Sequence, residues 1–132
     1  MSQITSRKEI INQSDEHIFN FISDFTNFSQ LMPPQAKDLK ITRDTCSFTL
    51  EGMPTINLRI TERLAYNTII MTAEDGKVPF SLKCQLNRVS NESCEAQFLF
   101  DAEFNMMMKM MVEKPLTNFL NLLVEKLKDI KA

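Results

Sequence analysis

The amino-acid sequence predicts an α+β fold in which a curved antiparallel β-sheet of about seven strands packs against two short helices and a long C-terminal helix. From Lys37 to Ala102, apolar residues alternate with polar ones, which is typical of strands with one buried face and one wet face. Before and after that stretch, at Ile18–Leu31 and Met106–Ile130, apolar residues recur at helical spacing. The 132 residues are expected to form one domain, 1–132.

The N-terminal third predicts one strand followed by two short helices. Residues Ile4–Ile11 form the expected first strand. Ser14 is the expected N-cap of the first helix, since a serine side chain can accept a hydrogen bond from a first-turn amide and two acidic residues follow it. The helical pattern is expected to break near Asp24 and to end at Pro33-Pro34, because proline cannot continue a helix.

Six rows of apolar residues are expected to form the buried face of the sheet. None of these positions carries Asp, Glu, His, Lys, Arg or Tyr, so the predicted interior is poor in groups suited to acid–base chemistry. The rows are Leu39 and Ile41; Cys46, Phe48 and Leu50; Ile56, Leu58 and Ile60; Ile69, Met71 and Ala73; Phe80, Leu82, Cys84 and Leu86; and Cys94, Ala96, Phe98 and Phe100.

Five short connections are predicted between these rows, each placing apolar residues opposite one another across the hairpin. The strongest local signal is Asp75-Gly76, a sequence favoured in two-residue turns. The expected partners are Ile41 with Cys46, Leu50 with Ile56, Ile60 with Met71, Met71 with Phe80, and Leu82 with Phe98.

The C-terminal segment Met106–Ile130 predicts a helix of roughly 37 Å, long enough to cross the sheet. Pro115 lies inside it, so a kink or break is expected there. Five of the six residues Met106–Met111 are methionine, and a helix cannot bury all of them, so some are expected to face solvent or a protein partner. The apolar stripe comprises Met108, Val112, Phe119, Leu123, Leu127 and Ile130.

Composition argues against several classes of partner. The net charge is −2 and Lys and Arg are not clustered, which disfavours nucleic acid. No apolar stretch is long enough for an integral membrane segment, and the polar N-terminus lacks a signal-peptide pattern, so a cytoplasmic location is expected. Three cysteines without a CxxC pair and the single histidine, His17, predict reduced thiols, no metal site and no cofactor.

Two segments carry a resemblance to a known superfamily. The opening SDEHIFNFISDFTNFSQLMP and the closing FDAEFNMMMKMMVEKPLTNFLNLLVEKLK resemble small bacterial members of the SRPBCC superfamily, also called START-like, birch-pollen-allergen-like or polyketide cyclase-like. The resemblance covers nearly the whole chain, and its motifs are structural rather than catalytic. It implies a helix-grip fold with an apolar cavity between the sheet and the C-terminal helix, and a small apolar ligand such as a lipid, quinone or polycyclic compound.

Three functions remain open at this point. The first is ligand binding, with no catalytic residue and with a cavity lined by Phe48, Leu58, Met71, Phe80, Leu82, Phe98, Met108, Val112, Phe119 and Leu123. The second is a filled-core interaction or chaperone-helper module that binds a protein through Met106–Met111. The third is a cyclase-like or dehydratase-like enzyme, for which Glu62 and Glu103 are the nearest acids and Cys84 the nearest nucleophile.

Overall fold

The computed structural model describes residues 2–32, 36–50, 55–73, 80–103 and 105–130, and it confirms the predicted architecture. An eight-stranded antiparallel sheet, ordered β1-β8-β7-β6-β5-β4-β3 with β2 also on β8, is covered by helices. The elements are β1 Ser2–Thr5, β2 Glu9–Ile11, α1 Asp15–Ile22, a 3₁₀ helix Phe25–Gln30, β3 Lys37–Ile41, β4 Thr45–Thr49, β5 Ile56–Leu64, β6 Thr68–Ala73, β7 Phe80–Ser90, β8 Ser93–Ala102 and α2 Met106–Leu127.

The predicted first strand, Ile4–Ile11, is divided into β1 and β2, which both pair with β8. Three residues, 6–8, separate them, whereas only two residues of β8 lie opposite, so the chain bulges there. The buried Ser6 joins the two parts: its Oγ accepts a hydrogen bond from the Phe98 amide at 2.9 Å, and its own amide donates to the Phe98 carbonyl at 2.9 Å. The bulge therefore allows β1 and β2 to pair with successive parts of β8.

The two short helices match the prediction, and so does the Ser14 cap. The Ser14 side chain accepts from the His17 amide at 3.0 Å, and the Asp24 side chain accepts from the Thr26 amide at 2.9 Å at the start of the 3₁₀ helix. These caps satisfy helix amides that have no partner within the helix. Pro33-Pro34, the predicted stop, lies outside the described residues.

An ion pair fastens the start of α1 to β7. Asp15 receives two hydrogen bonds from Arg88, from Nε at 3.2 Å and from Nη2 at 3.1 Å, and a third from the Glu16 amide at 2.8 Å. The hydrogen bond from Arg88 is the largest influence on Asp15, and it holds the pKa of that carboxyl below its usual value. Asp15 is the one charged side chain that is buried in the described part of the chain.

The alternating pattern predicts most of the buried face correctly but not every register. Leu39, an expected member of the first row, is exposed, beside an irregularity in the pairing of β3 with β4. Ile41 pairs with Cys46, and Ile60 with Met71, as expected. Three other predicted pairs are wrong by two residues: Ile56 lies opposite Phe48, Met71 opposite Leu82, and Leu82 opposite Phe100. A shift of two residues keeps every side chain on the same face, so alternation cannot detect it. The predicted turn at Asp75-Gly76 lies outside the described residues.

Helix α2 begins where predicted and ends three residues earlier than expected. The Asn105 side chain accepts from the Met108 amide at 2.8 Å and caps its N-terminus. The helix continues through Pro115 without a break. Proline removes one amide donor, and the carbonyl left without it belongs to the exposed Met111, where water can serve as donor.

The core lies between the sheet and the helices, and α2 approaches β8, β1 and β2 most closely. The buried side chains of α2 form two neighbouring rows along the helix, and the sequence prediction missed one of them. Leu116, Leu120 and Val124 are fully buried, and their spacing of four residues is itself a helical signal that could have identified them.

Candidate ligand-binding interior

The predicted lining residues come together in the space between the sheet and α2. Eight of them belong to one continuous buried core, and Phe80 packs against that core while remaining half-buried. Met108 is also half-buried, near the start of α2. The eight buried members are Phe48, Leu58, Met71, Leu82, Phe98, Val112, Phe119 and Leu123.

A ring contact joins the middle of the sheet to α2. The centroids of Phe48 on β4 and Phe119 on α2 are 5.1 Å apart, with their planes tilted by 32°. This contact spans the space that a ligand would have to occupy. A second pair, Phe80 and Phe100 on adjacent strands, stacks at 5.1 Å on the inward face. Both distances are those of favourable aromatic pairs.

The centre of this interior is filled by protein side chains. Met71, Phe98 and Leu123 have 0% of their surface accessible to water, so no void large enough for a water molecule borders them. Phe48 and Leu58 are 1% accessible. Close packing of this kind is the rule for protein interiors, and in this conformation a ligand at these residues would have to displace side chains.

The packing loosens at one end of the sheet, which we call the Ala102 end. Ala102 at the end of β8 pairs with Phe80 at the start of β7, and α2 begins four residues later. The half-buried Phe80 and Met108 lie at this end. The remaining methionines of the run, Met106, Met107, Met110 and Met111, are 66–81% exposed, which extends the expectation that some face solvent.

The three cysteines are buried and free, as predicted. Burial raises the pKa of the Cys46 thiol to about 12 and that of Cys94 to about 11, and it raises the pKa of Cys84 further above the ordinary value. A thiol held in its protonated form is a poor nucleophile. Cys84 therefore has no environment that would activate it.

The two acids of the enzyme hypothesis do not point into the interior. Glu62 was expected to continue the inward row after Ile60, and this prediction is wrong, because a bulge between Ile60 and Glu62 changes the face and leaves Glu62 exposed. Glu103 is exposed beyond the end of β8. Both carboxylates therefore face solvent rather than the predicted lining residues.

Two surface pockets are lined wholly by described residues. One, of about 390 Å³, lies on the outer polar face of β3–β5 and includes Lys40, Ser47 and Arg59. The other, of about 380 Å³, lies between the 3₁₀ helix and the end of α2 at Gln30 and Ile130. Of the predicted lining residues, only Leu58 borders either one.

The described residues contain no candidate metal site and no membrane-spanning helix. No group of three His, Cys, Asp or Glu side chains is close enough to hold a metal ion in that part of the chain. Within the same residues, neither α1 nor α2 is long and apolar enough to cross a membrane.

Solved structures match the protein over nearly its whole length. A START superfamily protein from Mycobacterium smegmatis is 15% identical with a TM-score of 0.68, covering 96% of this chain and 94% of its own. A protein from Thermobifida fusca is 12% identical with a TM-score of 0.68, covering 99% and 96%. Norcoclaurine synthase from Thalictrum flavum, in complex with dopamine and hydroxybenzaldehyde, is 13% identical with a TM-score of 0.74, covering 97% and 84%.

These structures share the architecture of this chain, so the helix-grip fold that the sequence resemblance implied is confirmed. The sequence itself matches no protein-family model and no curated protein. At identities of 12–15% the likeness describes backbone architecture and leaves the function to be argued from the residues.

Proposed function

We propose that the protein binds a small, uncharged apolar molecule between the sheet and α2. The observation that carries this proposal is the continuous apolar core that runs from the half-buried Phe80 at the Ala102 end to the Phe48–Phe119 contact. Apolar side chains that converge between a sheet and a helix are typical of small-molecule sites. The bound aromatic molecules in norcoclaurine synthase support the idea that this fold can hold such ligands.

The chemistry of the lining defines the ligand class. The interior row carries thiols and hydrocarbon groups, and the one buried charged side chain, Asp15, is already paired with Arg88 among the described residues. A charged ligand would lose its hydration without a partner, which costs several kcal/mol or more. A neutral lipid, quinone or polycyclic compound loses no such interaction and gains about 25 cal/mol per Å² of buried apolar area.

The ligand enters, in this proposal, at the Ala102 end, where Phe80 and Met108 are only half-buried. Because Met71 and Leu123 have no accessible surface, the site forms as side chains change rotamer and α2 moves outward. Methionine suits this role, since its unbranched thioether adapts to different shapes.

The first experiment is native mass spectrometry of the purified protein, followed by organic extraction of anything it carries. An extra mass of a few hundred daltons that is recovered as an apolar compound would support the proposal and name the ligand class. The matched variants are Met108→Trp, at the half-buried entrance, and Met110→Trp, on the exposed side of the same helix turn.

The entrance variant is expected to lose the ligand while the exposed variant keeps it, because only the first indole occupies the path to the interior. Both variants also introduce a tryptophan into a chain that has none, so each fold can be checked by fluorescence. Equal ligand retention by both variants would contradict the proposed entrance. Retention by Phe119→Asp, in protein that remains folded, would contradict the proposed interior site.

One specific observation favours a second candidate, an interaction module with a permanently filled core. The centre of the interior is closely packed, and four methionines are exposed on α2. A protein that carries no ligand, binds no neutral apolar probe and still captures a partner through α2 would favour this alternative.

A further inference from the structure

Four exposed methionines form a continuous apolar surface on α2, which we call the Met face: Met106, Met107, Met110 and Met111. With 3.6 residues per turn, their side chains cover an arc of about 140° over two turns. The buried row that contains Val112 and Phe119 is centred about half a turn away, on the opposite side of the helix. The Met face is therefore separate from the ligand-binding interior.

The concentration of these side chains distinguishes the Met face from ordinary exposed apolar residues. The other large apolar side chains exposed in the described ranges, such as Ile10, Leu64 and Val89, lie singly on different strands or turns. Single exposed residues need no explanation, whereas a cluster indicates a surface that meets an apolar partner. Met106, the most exposed, has 81% of its surface in water.

The charges around the Met face are suited to an anionic partner. Lys114 is exposed and projects near the centre of the arc, one turn beyond Met110 and Met111. The face begins at the N-terminus of α2, where the helix dipole and the first-turn amides favour negative charge. Glu113, the acidic residue of these turns, lies about a quarter turn from the centre.

Size and shape then favour a lipid surface over a folded protein. The Met face has four exposed side chains, far fewer than the roughly 20–30 residues that each partner contributes to a standard protein interface. The face is also convex, because it is the outer side of a helix, and it offers no groove to a partner helix. A bilayer interface deforms around a convex apolar face and supplies the anionic headgroups.

We infer that the Met face of α2 docks the protein onto an anionic lipid surface, with Met106, Met107, Met110 and Met111 inserted at the headgroup level and Lys114 among the phosphates. In this orientation α2 lies along the interface without crossing it, as its length and polarity require. The Ala102 end, with Phe80 and Met108, then lies close to the lipid. The ligand then enters the protein from the membrane at this end, a step that rests on the function proposed above.

The test is cosedimentation of the full chain with phosphatidylcholine vesicles that do or do not contain phosphatidylglycerol. The wild type is expected to sediment with the phosphatidylglycerol vesicles, and more weakly as salt is raised, since screening reduces the attraction. Replacing all four methionines with glutamine should lower the partition coefficient at least about tenfold, whereas replacing them with leucine should preserve binding, because leucine keeps the apolar area.

Two further variants complete the design. Lys114→Glu should weaken binding to the anionic vesicles roughly tenfold while leaving the weak binding to phosphatidylcholine unchanged. Val89→Gln, at a single exposed residue on β7, is the matched control and should bind as the wild type does. All six positions are exposed, so circular dichroism should show an unchanged fold.

Four results would overturn the inference: a wild type that does not sediment, a glutamine variant that sediments equally well, a leucine variant that loses binding, or a wild-type dimer that the glutamine variant dissociates. The last result would assign the Met face to a second copy of the chain. Ligand retention, measured on the same variants without vesicles, separates this inference from the proposed function. Docking can fail while the ligand is still bound, and the ligand can be lost while docking persists.

Discussion

Replacing Phe119 with alanine would measure how solidly the space between the sheet and α2 is filled. Only 4% of this residue is exposed, and its ring meets Phe48 at 5.1 Å across that space. Removing a ring from a closely packed core costs about 3–5 kcal/mol, since the lost burial and the cavity left behind add together. That is a large part of the 5–15 kcal/mol by which a domain is typically stable.

Urea unfolding followed by circular dichroism is the suitable assay, because the chain lacks tryptophan and has one tyrosine. For a slope near 2 kcal/mol per M, the midpoint should fall by about 2 M. Phe28→Ala is the matched control, because Phe28 is 1% exposed and packs on Phe25 within the 3₁₀ helix rather than on Phe48. If Phe119→Ala lowers the free energy of unfolding by less than about 2 kcal/mol while Phe28→Ala lowers it by about 3–5 kcal/mol, the packed interior is refuted.

Three further outcomes concern the rest of the fold. Ser6→Ala should reduce stability by about 1–3 kcal/mol in the same assay, because the Phe98 amide loses its buried acceptor; an unchanged midpoint would mean that β1 and β2 are not joined there. The pKa of Asp15 is lowered in the folded protein, so this residue stabilises the fold above its ordinary pKa of 3.8, and that stabilisation is lost as the pH falls through the folded pKa. Arg88→Met should therefore make the urea midpoint less dependent on pH, measured from neutral pH downwards. The pKa of Cys46 is raised from 9.0 to about 12, so stability should fall by about 1.4 kcal/mol per pH unit above 9, and Cys46→Ala should remove that contribution to the slope.

The buried face of the sheet could be predicted because it depends on a period of two, and the same period conceals errors of register. Met71 was expected opposite Phe80 and lies opposite Leu82, two residues further along β7. Both arrangements put apolar residues on the inner face, so hydrophobic patterning has no preference between them. The Asp75-Gly76 signal favoured one of them, but local turn propensity competes with the pairing of eleven-residue β7 along both of its neighbours.

Bulges account for most of the other differences, and one of them left a trace in the sequence. Ile4 is buried at an even position and Ile11 at an odd one, while Ile10 is 48% exposed. Such a change of parity within one apparent strand requires an extra residue, which is the bulge at Ser6. The bulge that turns Glu62 outward has no comparable signal, because Glu62 and Arg63 are both polar and either could face solvent.

Sequence patterning identifies which residues face inward, but it does not report whether opposite side chains meet, and this limits what it predicts about the candidate site. Phe48 and Phe119 do meet, so a ligand that separates them must replace the contacts they lose. A substitution that opens this space should therefore lower the stability of the protein and raise its affinity for an apolar ligand. Phe119→Ala should unfold more easily than the wild type, yet it should bind large neutral apolar probes more tightly, because the space is already open. Competition between small and large probes, measured by native mass spectrometry, would test this. A variant whose affinity for both probes is unchanged would place the ligand away from Phe119.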